Sequence, residues 1–363
     1  MRMSLTTQPR EIEMLDDRAN AHADAERAPA GLHRRPTMAD VATRAGVSRT
    51  LVSLIFSNKP GASDETRDRV LQAADELGYR LDRAARMLAR GRSRTLGVLM
   101  DVHQTFQADL IGTIYAEAEA AGYEVLLSAS APTRDEHKAI EALLSHRCEG
   151  LILLGPLSEA DYLRTLADRA VVTVVGRALP HTAVDTVRTA DAKGIRQSVD
   201  HLVELGHREI AHVDGGADPG SPERRRAYLA AMRRHDLSNH IRIIPGQHTE
   251  EAGVAAANTL LAEDRLPTAV LAGNDRCAIG LMDVFTRAHV DVPGDISIVG
   301  YDDSHLSQLS RIDLTTVRQD TEGLARHAVQ FAVGRLEDED LDPQDFVIDP
   351  HLMVRGTTGP ARS

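Results

Sequence analysis

Cysteine is nearly absent from this chain: among 363 residues only Cys148 and Cys277 occur, far apart and without metal-ligand spacing. That argues against a disulfide framework or a zinc module and points to a reducing cytoplasm. Long apolar runs are missing too. Nothing approaches the roughly 18 consecutive apolar residues of a membrane span, and the N-terminus lacks the basic-then-apolar layout of a secretory signal. Neither insertion nor export is expected. Signatures of catalysis are equally scarce: GGADPG (215 to 220) lacks the GxGxxG phosphate spacing, and there is no P-loop and no GxSxG elbow. Asp302 and Asp303 look like paired carboxylates, but neighbours at a strand end point in different directions, one reading as a ligand contact and the other as a capping group. His201 and His207 flank an ordinary Leu-Gly turn, and no metal, cofactor or catalytic site is expected.

What is present begins with charge. The formal net charge is −12, yet residues 34 to 92 hold 12 lysines and arginines against 7 aspartates and glutamates. A compact basic segment on an acidic body can neutralise phosphates while the remainder is repelled from nucleic acid. With 42% hydrophobic residues, the chain can bury more than one core.

Residues 1 to 33 are polar and Ala-rich without apolar periodicity, which predicts a disordered leader. At Thr37 the pattern changes. Thr37 and Asp40 form a capping-box pattern, and Met38, Val41, Ala42 and Ala45 follow at helical spacing. Gly46 suits a tight turn, Val47 anchors it, and Ser48 is a good N-cap for a second helix to about Phe56. A third helix opens at Ser63, is expected to bury Val70, Leu71, Ala74 and Leu77, and stops at Gly78. This spacing predicts a helix-turn-helix domain over 36–80. Residues 81–93 follow as a linker whose thin apolar stripe of Ala84, Ala85 and Leu88 is ringed by arginines, Arg83 among them. Alone it is too short to be stable, and its expected folding partner is DNA.

From Thr95 onward, β-branched runs alternate with amphipathic helices. TLGVLMD (95 to 101), EVLLSAS (124 to 130), GLILLG (150 to 155) and AVVTVVG (170 to 176) read as buried parallel strands. EIAHVDGG (209 to 216), HIRII (240 to 244), TAVLAGND (268 to 275) and ISIVGYDD (296 to 303) form a second series. The expected fold is an all-α headpiece plus an α/β core of two doubly wound subdomains, with a ligand cleft at the carboxyl ends of their strands.

DVATRAGVS, ETRDRVLQAADELGY, the linker segment, HLVELGHREIAHVDGG, VPGDISIVGYDDS and LTTVRQD, in this order and spacing, together resemble the lactose-repressor (LacI-type) family of bacterial regulators over about residues 36 to 358. The resemblance implies a periplasmic-binding-protein-like core at 94–358 crossed three times by the chain. One subdomain comprises about 95–187 and 318–345, the other 188–317 and 346–358. It implies a homodimer on a palindromic operator, controlled allosterically by a small sugar-like effector. The chain's last residues show no leucine heptads, which favours a dimer over a tetramer.

In such a headpiece the recognition helix places Ser48, Arg49, Thr50 and Ser53 against base edges of the major groove, an arginine there donating bidentately to guanine. The family often has Arg where this chain has Leu54, so one guanine contact is lost. By resemblance the 81–93 segment enters the minor groove with Leu88 as a wedge. Phe106, Arg224, His248, Asn274, Asp302 and Gln319 match effector-binding positions, and amides and carboxylates suit the hydroxyls of a sugar or polyol. Arg225 and Arg226 read as solvated. Gln107 stands where the family carries an aromatic, which predicts a more polar or differently shaped ligand than a common hexose. The rival reading, a transporter's solute-binding protein, shares the core fold but requires a signal peptide and no helix-turn-helix.

Overall fold

A computed structural model describes residues 36–56, 59–79, 92–179, 184–338 and 340–362. They fall into two compact units divided after residue 89. The leader, Arg83 and Leu88 lie outside the described residues.

The first unit is three helices, α1 (Met38–Ala45), α2 (Arg49–Phe56) and α3 (Asp64–Glu76). The Thr37 side chain accepts from the Asp40 amide while the Asp40 carboxylate takes the Thr37 amide, closing the capping box. Gly46 ends α1 at φ +68°, a left-handed turn that costs glycine nothing. Ser48 accepts from the Leu51 amide at 3.2 Å, opening α2. Val41, Ala42, Ala45, Val52, Ile55, Val70, Ala73 and Ala74 form the core. Leu71 is 46% exposed and Leu77 only partly buried; Ala73 takes the expected buried place because the apolar face of α3 turns one position further round.

The second unit carries two six-stranded sheets. The first contains β1 (Thr95–Asp101), β2 (Glu124–Ser130), β3 (Gly150–Leu154), β4 (Val171–Val175), β5 (Asp185–Thr189) and β11 (Asp345–Ile348), in the order β11-β5-β4-β3-β1-β2, all parallel. All five residues of β3 are buried. Ile152 and Leu154 pack against α4 (Thr105–Ala120) and α11 (Thr321–Glu337), while Leu151 and Leu153 meet α5 (Glu136–Ser145) and α6 (Ala160–Ala167). This two-sided apolar strand is what a sheet covered on both faces requires.

The second sheet contains β6 (Ile210–Val213), β7 (Arg242–Ile244), β8 (Ala269–Leu271), β9 (Ser297–Asp302), β10 (Thr315–Arg318) and β12 (His351–Met353), in the order β12-β10-β9-β8-β6-β7, with β12 antiparallel to β10. One face buries α9 (Glu250–Leu261) and α10 (Asp275–Arg287), the other α7 (Asp191–Glu204) and α8 (Ser221–Arg234).

The chain crosses between sheets between Thr189 and Asp191, Arg318 and Thr321, and Ile348 and His351. The expected break at 345/346 moves to the third of these, because Asp345–Ile348 pairs in register with Thr186–Thr189 and so belongs to the first sheet. Thr315–Arg318 likewise places the second crossing after Arg318. Strands β5, β10, β11 and β12 are absent from the two predicted series.

Candidate functional site

Each unit presents a surface of its own. On α2, Val52 and Ile55 point into the core while Arg49, Thr50 and Ser53 are exposed. Ser48 is exposed too, but its hydroxyl serves as the helix cap. Leu54 is half-buried and sits close to Gly61.

In the second unit a cavity opens between the carboxyl ends of the two sheets. Phe106, Arg224, His248, Asn274, Asp302 and Gln319, six residues spread over more than 200 positions of sequence, all line it. The second sheet supplies its polar side. Arg224, on α8, donates through Nε to Asp191 at 2.9 Å and through Nη1 to the Gly273 carbonyl at 2.8 Å, with its guanidinium 3.6 Å above the Tyr301 ring. Burial opposes its charge, but Asp191, Tyr301 and Asp302 outweigh burial and hold it firmly protonated.

Asp302 ends β9 with φ +122°, followed by Asp303 at φ +57°. Two non-glycine residues in this region store backbone strain at the cavity wall. The expected capping role of Asp303 is replaced by ion pairs: its carboxylate accepts from Arg318 at 2.6 Å and from Arg355. Asp302 accepts from Gln319 Nε2 at 2.8 Å, and Gln319 Oε1 accepts from Thr189 at 2.6 Å. Thr189 and Gln319 stand on two different crossovers, so this chain of bonds ties the cavity to the segments that join the subdomains. Burial pushes the Asp302 carboxyl up to about 6, with Arg224 and Gln319 partly offsetting it.

His248 is buried, its Nε2 is 3.1 Å from Ser221 Oγ, and its amide donates to Asp218 at 2.6 Å. Burial, reinforced by Arg224, His212 and Arg276, holds it well below the ordinary histidine value, so it is neutral. The glycines of GGADPG serve close packing: a Cβ on Gly215 would lie 2.0 Å from Ser221 Oγ and 2.3 Å from His248 Nε2. Asn274 caps α10, its Oδ1 accepting from the Cys277 amide at 3.0 Å.

Gln107 lines the cavity as expected, but its Oε1 accepts from the Asp101 amide at 2.7 Å. The amide oxygen is thus spent on the protein's own backbone. Arg225 pairs with Asp214, rather than being merely solvated, and Arg226 pairs with Glu223. His201 and His207 hold the C-terminal segment at Thr358 and Gly359. Sequence reasoning missed Asp191, Tyr301, Thr189 and Asp218: Asp191 and Thr189 lie in no motif, while Tyr301 and Asp218 stand inside VPGDISIVGYDDS and GGADPG without their own contacts being visible there. Among the described residues no helix is long and apolar enough to cross a membrane, and no cluster could hold a metal.

A family model described as bacterial regulatory proteins, lacI family, matches residues 37–82, and one described as a periplasmic binding protein-like domain matches residues 199–358. The chain is 32% identical to the HTH-type transcriptional regulator CelR of Thermobifida fusca, over 89% of this chain and 98% of the relative. It resembles the crystal structure of a LacI transcriptional regulator from a Rhodococcus species, at 46% identity and a TM-score of 0.71, covering 74% of this chain and 99% of the other. It also resembles the lac repressor dimer bound to operator and the anti-inducer ONPF, at 28% identity and a TM-score of 0.78, covering 90% and 100%.

Proposed function

The chain belongs to the LacI family of bacterial regulatory proteins, and from that premise we propose that it is a repressor that binds a palindromic operator as a homodimer and is controlled by a small polar, sugar-like ligand in the inter-sheet cavity. The observation that carries this reading is the joint presence, on one chain, of an exposed Arg49-Thr50-Ser53 face on α2 and a polar-sided cavity between the two sheets of the second unit. A solute-binding protein has no use for the first, and an isolated DNA-binding module has none for the second.

Arg49 and Thr50 act as base readers, Ser48 and Ser53 as accessory donors, and Arg83 and Leu88 as the minor-groove contacts. Two-fold symmetry of the dimer sets the palindrome. Arg224, Asp302, Gln319, Asn274 and His248 take the ligand's hydroxyls, and Phe106 lies beside them. A ligand shifts the equilibrium only through unequal affinity for two arrangements of the subdomains. The Asp302–Gln319–Thr189 chain supports a direct route from cavity to crossovers.

Selection from random duplexes with the full-length protein tests the reading. A palindrome is expected to be enriched, with the preference relaxed at one base pair per half-site in Arg49→Ala. Failure to enrich any site, with and without metabolite extract, would overturn it.

A further inference from the structure

We propose that Glu149 is a positioning residue for operator binding: its carboxylate clamps Arg92 and Arg94 to the base of the first sheet and so sets how strictly the protein demands one spacing between half-sites. This rests on the repressor reading above and assigns to named residues a property that reading leaves open.

The clamp lies at the amino ends of β1, β2 and β3, the end of the sheet opposite the cavity. Glu149, just before β3, accepts the Arg94 amide on Oε1 at 2.9 Å. On Oε2 it accepts Arg92 Nε at 3.3 Å and Nη2 at 3.2 Å. The same guanidinium donates to the Tyr123 hydroxyl at 3.0 Å and to the Leu336 carbonyl at 3.1 Å, in the last turn of α11. Arg94 stands at φ +46°, a left-handed conformation that a non-glycine residue keeps only where its surroundings fix it. Here they do: its amide is taken by Glu149, its carbonyl accepts from the Glu124 amide at 2.9 Å, and its guanidinium lies 5.3 Å from the centre of the Tyr123 ring.

Stability alone gives little reason for such convergence. The Arg92 side chain is 44% exposed against 14% for Glu149, and ion pairs with an exposed partner contribute little to folding. What several anchors on one short stretch do achieve is a fixed point of departure for the chain. Residues 80–91 connect this point to the helix-turn-helix domain, so where the clamp holds decides how far that domain reaches. Arg92, Ser93 and Arg94, once released, add up to about 10 Å of reach at ~3.3–3.6 Å per residue. The rise of duplex DNA is about 3.4 Å per base pair. Each arm of a dimer therefore gains nearly three base pairs of play. With the clamp closed, displaced half-sites lose the benefit of simultaneous binding.

The test uses the full-length protein, the palindrome it enriches from random duplexes, and the same palindrome with two base pairs inserted at its centre. In the parent the insertion is expected to weaken binding about a hundredfold. In Glu149→Ala and in Arg92→Ala the penalty is expected to shrink to about tenfold or less, with weaker binding of the original palindrome. Glu149→Gln keeps an acceptor for the Arg94 amide and is expected to fall between. Because the penalty is a ratio of two affinities of one sample, partial unfolding of a variant does not alter it. A penalty equal to the parent's in both alanine variants overturns the proposal. So does a loss confined to Arg92→Ala, equal on both duplexes and accompanied by a salt slope lower by about one, which makes Arg92 a phosphate contact. An enriched palindrome with an unmoved penalty removes the clamp's role alone, whereas failure of the parent to enrich any palindrome removes the repressor reading and the clamp's role with it.

Discussion

Arg224 and Asp191 form a buried ion pair at 2.9 Å, with the Tyr301 ring lying beneath the guanidinium. The pair joins the start of α7 to the first turn of α8 at the cavity wall, so its geometry sets both local stability and the orientation of a cavity-facing cation. Removing one partner of such a pair leaves an uncompensated buried charge, which costs about 3–5 kcal/mol. Arg224→Ala is expected to lose stability of that order in urea unfolding of the full chain. Arg224→Lys retains the charge but not the planar fork that reaches both Asp191 and Gly273, so it is expected to unfold nearer the parent while losing ligand response.

Helices α9 and α10 cross with almost no side chain between them. A Cβ on Gly253 would lie 2.1 Å from the Cys277 carbonyl oxygen, and one on Gly280 2.1 Å from the Glu250 carbonyl oxygen. Backbone cannot yield as a flexible side chain does. Gly253→Ala is therefore expected to destabilise the chain by about 1–3 kcal/mol or more, read as a lowered thermal midpoint, even though alanine ordinarily favours a helix. An unchanged midpoint would contradict the close crossing.

Stability is expected to fall as pH rises from about 7 to about 8.5. Burial, with Asp302 nearby, pushes the Asp275 carboxyl up to about 8, although it accepts from the Ser304 amide and hydroxyl at 2.8 and 2.9 Å. The folded state therefore keeps a proton that the unfolded chain has already released, and this stabilising preference is lost as pH rises through the folded value. His212 and His248 act with the opposite sign: burial lowers both, so they contribute increasing stability up to the ordinary histidine value of 6.5 and nothing further above it. Thermal midpoints measured across the upper window should decline in the parent and flatten in Asp275→Asn. A decline of equal slope in both would remove Asp275 as the cause.

The headpiece was legible because its signals are local. Thr37 with Asp40, Gly46 and Ser48 act within a few residues of themselves, and each was found in its expected role. The central strands were legible through their apolar runs. β11 was not, since Asp345, Phe346 and Val347 are exposed and the strand exists only by pairing with Thr186–Thr189, far away in sequence. At the cavity, the family resemblance carried Arg224, Asn274, Asp302 and Gln319, while Asp191 and Thr189, which fix two of them in place, belong to no motif. Gln107 is a similar case: its type was visible, but not the Asp101 amide that its Oε1 accepts from.

The central claim, sequence-specific DNA binding through α2, is tested most directly by fluorescence anisotropy of the full-length protein on the selected duplex and on a scrambled duplex of the same composition, across a salt series. The expected result is a preference of about a thousandfold or more for the selected duplex, affinity that falls steeply with salt, and a preference reduced by about ten- to a hundredfold in Arg49→Ala. Equal affinity for both duplexes, or an Arg49→Ala preference matching the parent, would contradict it.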